Sequence, residues 1–235
     1  MKRTFAILFG GAAILLLVMI GLGLLDVHVL AHSRFGHADG SVDSTLAHHR
    51  DRLLNSLTLA TTFVASTLPV IVLAAVVVVV SALVFKRWRE PLFVVAVIVG
   101  EVSIFVLTTL VVHRPRPDVV RLDHAPPTSS FPSGHTAASV ALYGSIAALV
   151  IVFGARIAWR RIALIVAILV PVLVAASRLY RGMHYPTDVL GGALLGFVWL
   201  RMAMYAIFGR LGVESSQRTP DASGSAHRRL EPQGR

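Results

Sequence analysis

Apolar residues come in blocks separated by short polar clusters, and charged side chains keep out of the blocks: none falls in 4–25, 53–85, 91–100, 102–112, 136–155, 162–177 or 189–200. A bilayer core of about 30 Å needs about 20 apolar residues in a helix that rises about 1.5 Å per residue. Six spans fit that ruler: Thr4 to Leu25, a second within Leu57 to Phe85, Pro91 to Val112, about Thr136 to Phe153, Ile162 to Ser177, and about Asp188 to Phe208. The run Val76 to Val80 is β-branched, but a lone strand in lipid would leave its backbone unpaired, so this block also predicts a helix. The expected fold class is all-α: a polytopic membrane protein of six transmembrane helices. Its expected parts are an N-terminal anchor (1–25), an extracytoplasmic or interfacial segment (26–56), the remaining five-helix core (57–210) and a disordered tail (211–235). The first block exceeds a signal-peptide core of about 7 to 15 residues and lacks a small-residue cleavage site, so it predicts a retained anchor. The tail is polar, rich in Ser, Gly and Pro, and without periodicity.

Composition sharpens the picture. The chain is 55% hydrophobic and 14% charged, against about 25% charged in soluble domains, which excludes an ordinary water-soluble globule. It has no cysteine, so disulfides, thiolate metal sites and cysteine nucleophiles are excluded, and the chemistry falls to His, Ser, Asp, Glu, Arg and Lys. Six spans put both termini on one side. Thirteen Lys/Arg lie on that side and eight on the other, a bias that predicts cytoplasmic termini. The net charge of +10 comes with no basic soluble face and no groove-reading motif. It fits topology charges and attraction to anionic headgroups, and no nucleic-acid partner is expected.

Three polar clusters gather at the predicted outer ends of spans three to six. They are His113-Arg114-Pro115-Arg116-Pro117, Ser130-Phe131-Pro132-Ser133-Gly134-His135, and Ser177-Arg178 with His184 and Asp188. Polar residues at one membrane depth on four helices suggest a shared site. The second cluster opens a helix, whose unpaired N–H groups make an anion cradle that glycine lets a ligand approach. Alone, it also fits a plain Ser/Pro helix start. His184 and Asp188 are four apart, within reach of a carboxylate–imidazole contact that would fix the ring's tautomer and leave its other nitrogen free as nucleophile or base. Arg178 and Arg116 carry planar forks suited to phosphate oxygens, or to lipid headgroups.

In order, Arg116-Pro117, then Pro132-Ser133-Gly134-His135, then Ser177-Arg178, five residues, His184, three residues, Asp188 resembles the type 2 phosphatidic acid phosphatase family, in its membrane-bound branch, over about residues 43 to 205. The resemblance implies that His184 takes the phosphoryl group as a phosphohistidine and that Asp188 orients and charge-stabilises it. His135 would protonate the leaving group and then activate water. Arg116, Arg178, Ser133 and the Gly134 amide would hold the phosphoryl oxygens. It implies no metal and no cofactor, since the arginines and the helix start supply the positive potential. The family's first motif begins with a lysine seven residues before the Arg-Pro arginine; this chain has Thr109 there, and Arg114 is the nearest replacement cation.

The expected activity is hydrolysis of a lipid phosphomonoester or diphosphate at the outer face, with polyprenyl diphosphate, phosphatidic acid and phosphatidylglycerol phosphate all compatible. The rival is a non-enzymatic transporter or binder of anionic headgroups, with Glu101 and Arg201 as its relay. Those two residues lie at similar predicted depths, which suggests an ion pair between spans three and six. The first outer loop carries His28, His32, His37, His48 and His49 with Asp26, Asp39 and Asp43. Their spacing matches no metal motif, and the segment is expected to cover the lipid entrance.

Overall fold

A computed structural model of the chain describes residues 2–154 and 156–209. The described residues form eight α-helices: α1 Lys2–His28, α2 Arg34–His48, α3 Arg52–Phe63, α4 Thr67–Phe85, α5 Arg89–Val111, α6 Gly134–Val152, α7 Ile157–Tyr180 and α8 Pro186–Phe208. Of these, α1, α4, α5, α6, α7 and α8 are long and apolar enough to cross a membrane. The chain is an all-α, multi-pass membrane protein, as the six apolar blocks predict. The expected disordered tail lies outside the described residues.

The second block divides. Its 57–85 run is too long for one crossing, and α3 ends at Phe63 before α4 begins at Thr67. The amides of Ala65 and Ser66 turn back onto the carbonyls of Thr62 and Phe63 at 3.1 and 3.0 Å. Pro69 then sits in the first turn of α4, where its missing N–H costs no hydrogen bond. The fifth block lengthens instead: α7 takes in basic residues before its apolar run and Arg178 after it.

Many large apolar side chains, such as Leu83 and Ile165, point outward, and glycines between the helices let backbones approach. On α8, a Cβ at Gly192 would lie 2.3 Å from the Ser133 carbonyl oxygen, and one at Gly196 would lie 2.6 Å from that of Ala137. This close packing of α8 on α6 brings the two helix N-termini together, and the Ser133 amide donates to the Asp188 carbonyl at 2.9 Å. Just ahead of α6, Phe131 fills a slot that Gly23 of α1 and Gly191 of α8 leave open. Trp199 lies where a side chain at Gly100 would be, and its indole N–H is shared by the carbonyls of Ala96 and Val97 at 3.1 and 3.0 Å.

Glu101 and Arg201 do not pair. The buried stripe of α8 runs through Leu195, Trp199, Ala203 and Ala206; two residues past Trp199, Arg201 projects on the far side of the helix and is exposed. Glu101 is buried on the α5 stripe with Val94, Val97, Ile104 and Thr108. Similar depth did not mean a shared face.

Candidate active site

The three polar clusters converge at one end of the bundle. At Gly182 the backbone takes a positive φ of 69°, which a residue with a side chain rarely adopts, and the chain leaves α7 toward α8. His184 lies in this connection, buried. Its Nδ1 is 2.8 Å from the carbonyl oxygen of Ser130; a carbonyl only accepts, so Nδ1 carries the proton and Nε2 keeps a bare lone pair. Burial pushes the His184 imidazole below its ordinary pKa, against the pull of Asp188 and with the help of Arg178 and Arg116. The ring is therefore neutral at neutral pH.

Asp188 is fully buried, with its Oδ2 at 3.6 Å from His184 Nδ1, too far for a hydrogen bond. That oxygen accepts instead from the Tyr185 amide at 2.8 Å, capping the start of α8. Ser130, not Asp188 as the spacing predicts, fixes the tautomer, and Asp188 acts on the ring through its charge.

Around this histidine, Arg116 donates from Nη1 to the Met183 carbonyl at 2.8 Å, and Arg178 donates from Nη1 to Asp123 at 2.8 Å. The Nε groups of both arginines are buried and have no partner. Buried N–H groups are nearly always satisfied, so two orphaned guanidinium donors mark a place for an anionic acceptor. His135, in the first turn of α6, lies within electrostatic range of Arg178, His184, Asp123 and Arg116. The first bond closing α6 runs from the Ala137 amide to the Ser133 carbonyl at 3.0 Å; the amides of Gly134, His135 and Thr136 precede that ladder, as in an anion-binding helix start. The Ser133 hydroxyl pairs with that of Thr136 at 3.0 Å.

Arg114, the nearest replacement cation by sequence, is surrounded by acids. Its guanidinium binds carboxylates: Nη1 lies 2.5 Å from Asp188 and 2.6 Å from Asp26, and Nη2 lies 2.8 Å from Asp39. The ring of Tyr185 lies 4.2 Å from its centre. The guanidinium expected to replace the missing lysine is thus engaged by three carboxylates. Thr109, at the lysine position, bonds its own helix at the Val106 carbonyl.

Sequence reasoning missed Asp123 and Arg181. Asp123 lies in the loop between α5 and α6 and bridges Arg178 and Arg181, the latter through Nε at 2.9 Å and Nη2 at 2.6 Å. Arg181 also ties this loop to α3 through the Asn55 carbonyl and Thr58. Burial works against the Asp123 carboxylate, but its bonds to Arg181 and Arg178 hold it below the ordinary range. The spacing of Arg178 and Arg181, three apart at a helix end, was the available signal. Among the described residues no group of three His, Asp or Glu is arranged to hold a metal ion.

A model of the family described as the PAP2 superfamily matches residues 64–211. An undecaprenyl-diphosphatase of Sulfolobus acidocaldarius is 35% identical over 120 residues, 48% of this chain and 54% of that protein. Phosphatidylglycerophosphatase B of Bacillus subtilis is 38% identical over 88 residues, 37% of this chain and 43% of the relative. The bacitracin transport permease protein BcrC of Bacillus licheniformis is 36% identical over 104 residues, 44% and 46% of the two chains. The chain spans about half the length of the curated relatives it matches. A crystal structure described as the first transmembrane PAP2 type phosphatidylglycerolphosphate phosphatase, from Bacillus subtilis, superimposes with a TM-score of 0.68 at 24% identity, covering 93% of this chain and 99% of that one. The fold is shared.

Proposed function

The chain belongs to the PAP2 superfamily, and from that premise we propose that it is an integral membrane lipid phosphatase, hydrolysing a phosphomonoester or diphosphate of a lipid through a phosphohistidine. His184 attacks phosphorus with Nε2, the P–O bond to the lipid oxygen (or, in a diphosphate, to the bridging oxygen of the lipid phosphate) breaks, and a protonated His135 gives the departing oxygen its proton. His135 then takes a proton from water, whose oxygen attacks the phosphohistidine; the P–N bond breaks and inorganic phosphate leaves. Asp188 stabilises the imidazolium that forms on His184. Arg116 and Arg178 hold the phosphoryl oxygens with the Gly134 amide and Ser133, where charge spreads over three equatorial oxygens. These groups supply the positive potential without a metal.

The observation that carries this reading is the pair of buried, unpartnered Nε donors of Arg116 and Arg178 beside a neutral histidine whose Nε2 is bare. The names of the relatives support a lipid substrate: polyprenyl diphosphate, phosphatidylglycerol phosphate and phosphatidic acid form the panel to test. The Lys/Arg bias supports cytoplasmic termini and an extracytoplasmic site.

Purified protein in detergent with a chelator present should release phosphate from at least one of these lipids, with vanadate as inhibitor. Acid-sensitive, base-stable label from a ³²P-lipid should be trapped on wild-type protein and lost in His184→Ala. No release from the whole panel, or label that survives His184→Ala, overturns the proposal. The transporter reading needed Glu101 and Arg201 as a relay. One is buried inside the bundle and the other exposed outside it.

A further inference from the structure

We infer that Arg114, anchored by Asp26 of α1 and Asp39 of α2, is a positioning residue that holds Asp188 in place beside His184, so that the N-terminal helices complete the catalytic centre. The inference rests on the phosphatase reading for the role of His184 and deepens it.

A fully buried carboxylate needs a cation and hydrogen bonds to stay there. Asp188 Oδ2 has the Tyr185 amide, and Oδ1 has Arg114. The fork of Arg114 is fixed from three sides. Nη1 also meets Asp26 and donates to the Thr187 hydroxyl at 2.6 Å, and Nη2 donates to Asp39. Asp39 in turn accepts from the Thr187 amide at 3.2 Å and from its hydroxyl at 2.6 Å. The residue before Asp188 is thereby tied to α2. A planar guanidinium can serve three carboxylates in this way, and an ammonium cannot match the geometry. Asp26 and Asp39 both precede residue 64, where the family match begins. A part of the chain outside the matched segment thus reaches the acid behind the nucleophile.

The charged groups facing Asp188 and His184 come from every packed element. Asp26 stands on α1, Asp39 and Asp43 on α2, and Arg114 and Arg116 on the loop after α5. His135 of α6 and Arg178 of α7 face His184 from the other side of the connection. Taking a positive charge out of this set lets His184 accept a proton more readily, which moves the acid limb of the pH–rate profile upward.

The test is the pH dependence of kcat and KM for phosphate release from a hydrolysed lipid phosphate, using the full chain in detergent. Arg114→Ala should lower kcat by about 10²-fold with KM changed less than about threefold, and raise the acid limb by about one pH unit. Arg114→Lys should return the limb to its wild-type position and recover part of kcat. Asp39→Asn, which leaves the Arg114–Asp188 pair but removes an anchor, should lower kcat by about tenfold at unchanged KM. A KM raised tenfold or more in Arg114→Ala with the limb unmoved would make Arg114 a phosphate ligand and overturn the inference. If Arg114→Ala does not fold, wild-type kcat in Asp39→Asn overturns it. Should the wild type hydrolyse no lipid of the panel, the phosphatase reading fails by itself. The inference is then read from ¹⁵N-histidine NMR: an upward shift of the His184 midpoint in Arg114→Ala, or in Arg114→Gln, supports it, and an unmoved midpoint sinks it.

Discussion

Ser130 and His184, 54 residues apart, share the hydrogen bond that decides which imidazole nitrogen is bare. In a triad where the carboxylate sets the tautomer, its replacement by an amide costs about 10⁴-fold in kcat. Here the carbonyl does that work, so Asp188→Asn should cost less, about 10² to 10³-fold, through lost stabilisation of the imidazolium. Rapid-quench measurement of phosphoenzyme formation, with ¹⁵N NMR of the His184 ring to verify the tautomer, checks this.

Burial holds His184 below its ordinary pKa of 6.5, so its lone pair stays available in mildly acidic solution. The acid limb belonging to the nucleophile in kcat/KM should lie below pH 6.5. A pH series of phosphoenzyme formation, which isolates the first chemical step, reads that limb directly.

Asp43 and Asp123 should give opposite pH trends in stability. Asp43 is buried on α2 with both carboxyl oxygens unpartnered; burial first, then Asp39 and Asp188, push it up from 3.8 to about 7. Between pH 4 and 7 the folded chain keeps a proton that the unfolded chain has released, so stability falls as pH rises through that window. Asp43→Asn should flatten this slope and raise Tm at pH 7.5 by about 3–8 °C. Asp123, held below its ordinary range, stabilises the fold above about pH 4, and that contribution disappears as pH falls further. Asp123→Asn should lower Tm at pH 7, and by progressively less as the pH falls below about 4. Thermal unfolding in detergent across pH measures both.

Gly192 tests the close approach of α8 to α6. A methyl there meets a backbone oxygen at 2.3 Å, whereas at Gly21 it meets nothing within 4 Å. Gly192→Ala should lower phosphate release by at least about tenfold by parting Ser133 from Asp188. Gly21→Ala should be near wild type. Assays of equal amounts of purified, monodisperse protein make the comparison.

Glu101→Gln and Arg201→Leu should act independently. A double-mutant cycle on Tm should give a coupling within about 0.5 kcal/mol of zero, because the two side chains share no contact. A coupling well above that would place them in one network.

The six crossings were legible because a bilayer imposes a length, and a length can be counted along a sequence. The helix-end clusters were legible because each is contiguous. The inward face of each span was not, since lipid and protein interior are equally apolar and the pattern on α5 or α8 carries no contrast between them; this is why Arg201 was matched with Glu101. The division at residues 64–66 is marked only by the run's excess length and by Pro69, three residues beyond it. The link from Asp26 and Asp39 to Arg114 spans 88 and 75 residues and is built by tertiary packing alone. No local spacing announces it, whereas the position of Thr109 does announce a departure from the family's lysine.

Phe131 sits between Ser130, whose carbonyl sets the His184 tautomer, and the turn that opens α6, wedged into the gap left by Gly23 and Gly191. Bulk at Gly191 meets the ring, and bulk at Gly23 meets both the ring and Val112, so either presses on the loop whose carbonyl holds the His184 proton. The chain is in effect keyed: a glycine near its beginning leaves room for the packing that sets, 161 positions later, which nitrogen of a histidine carries the proton.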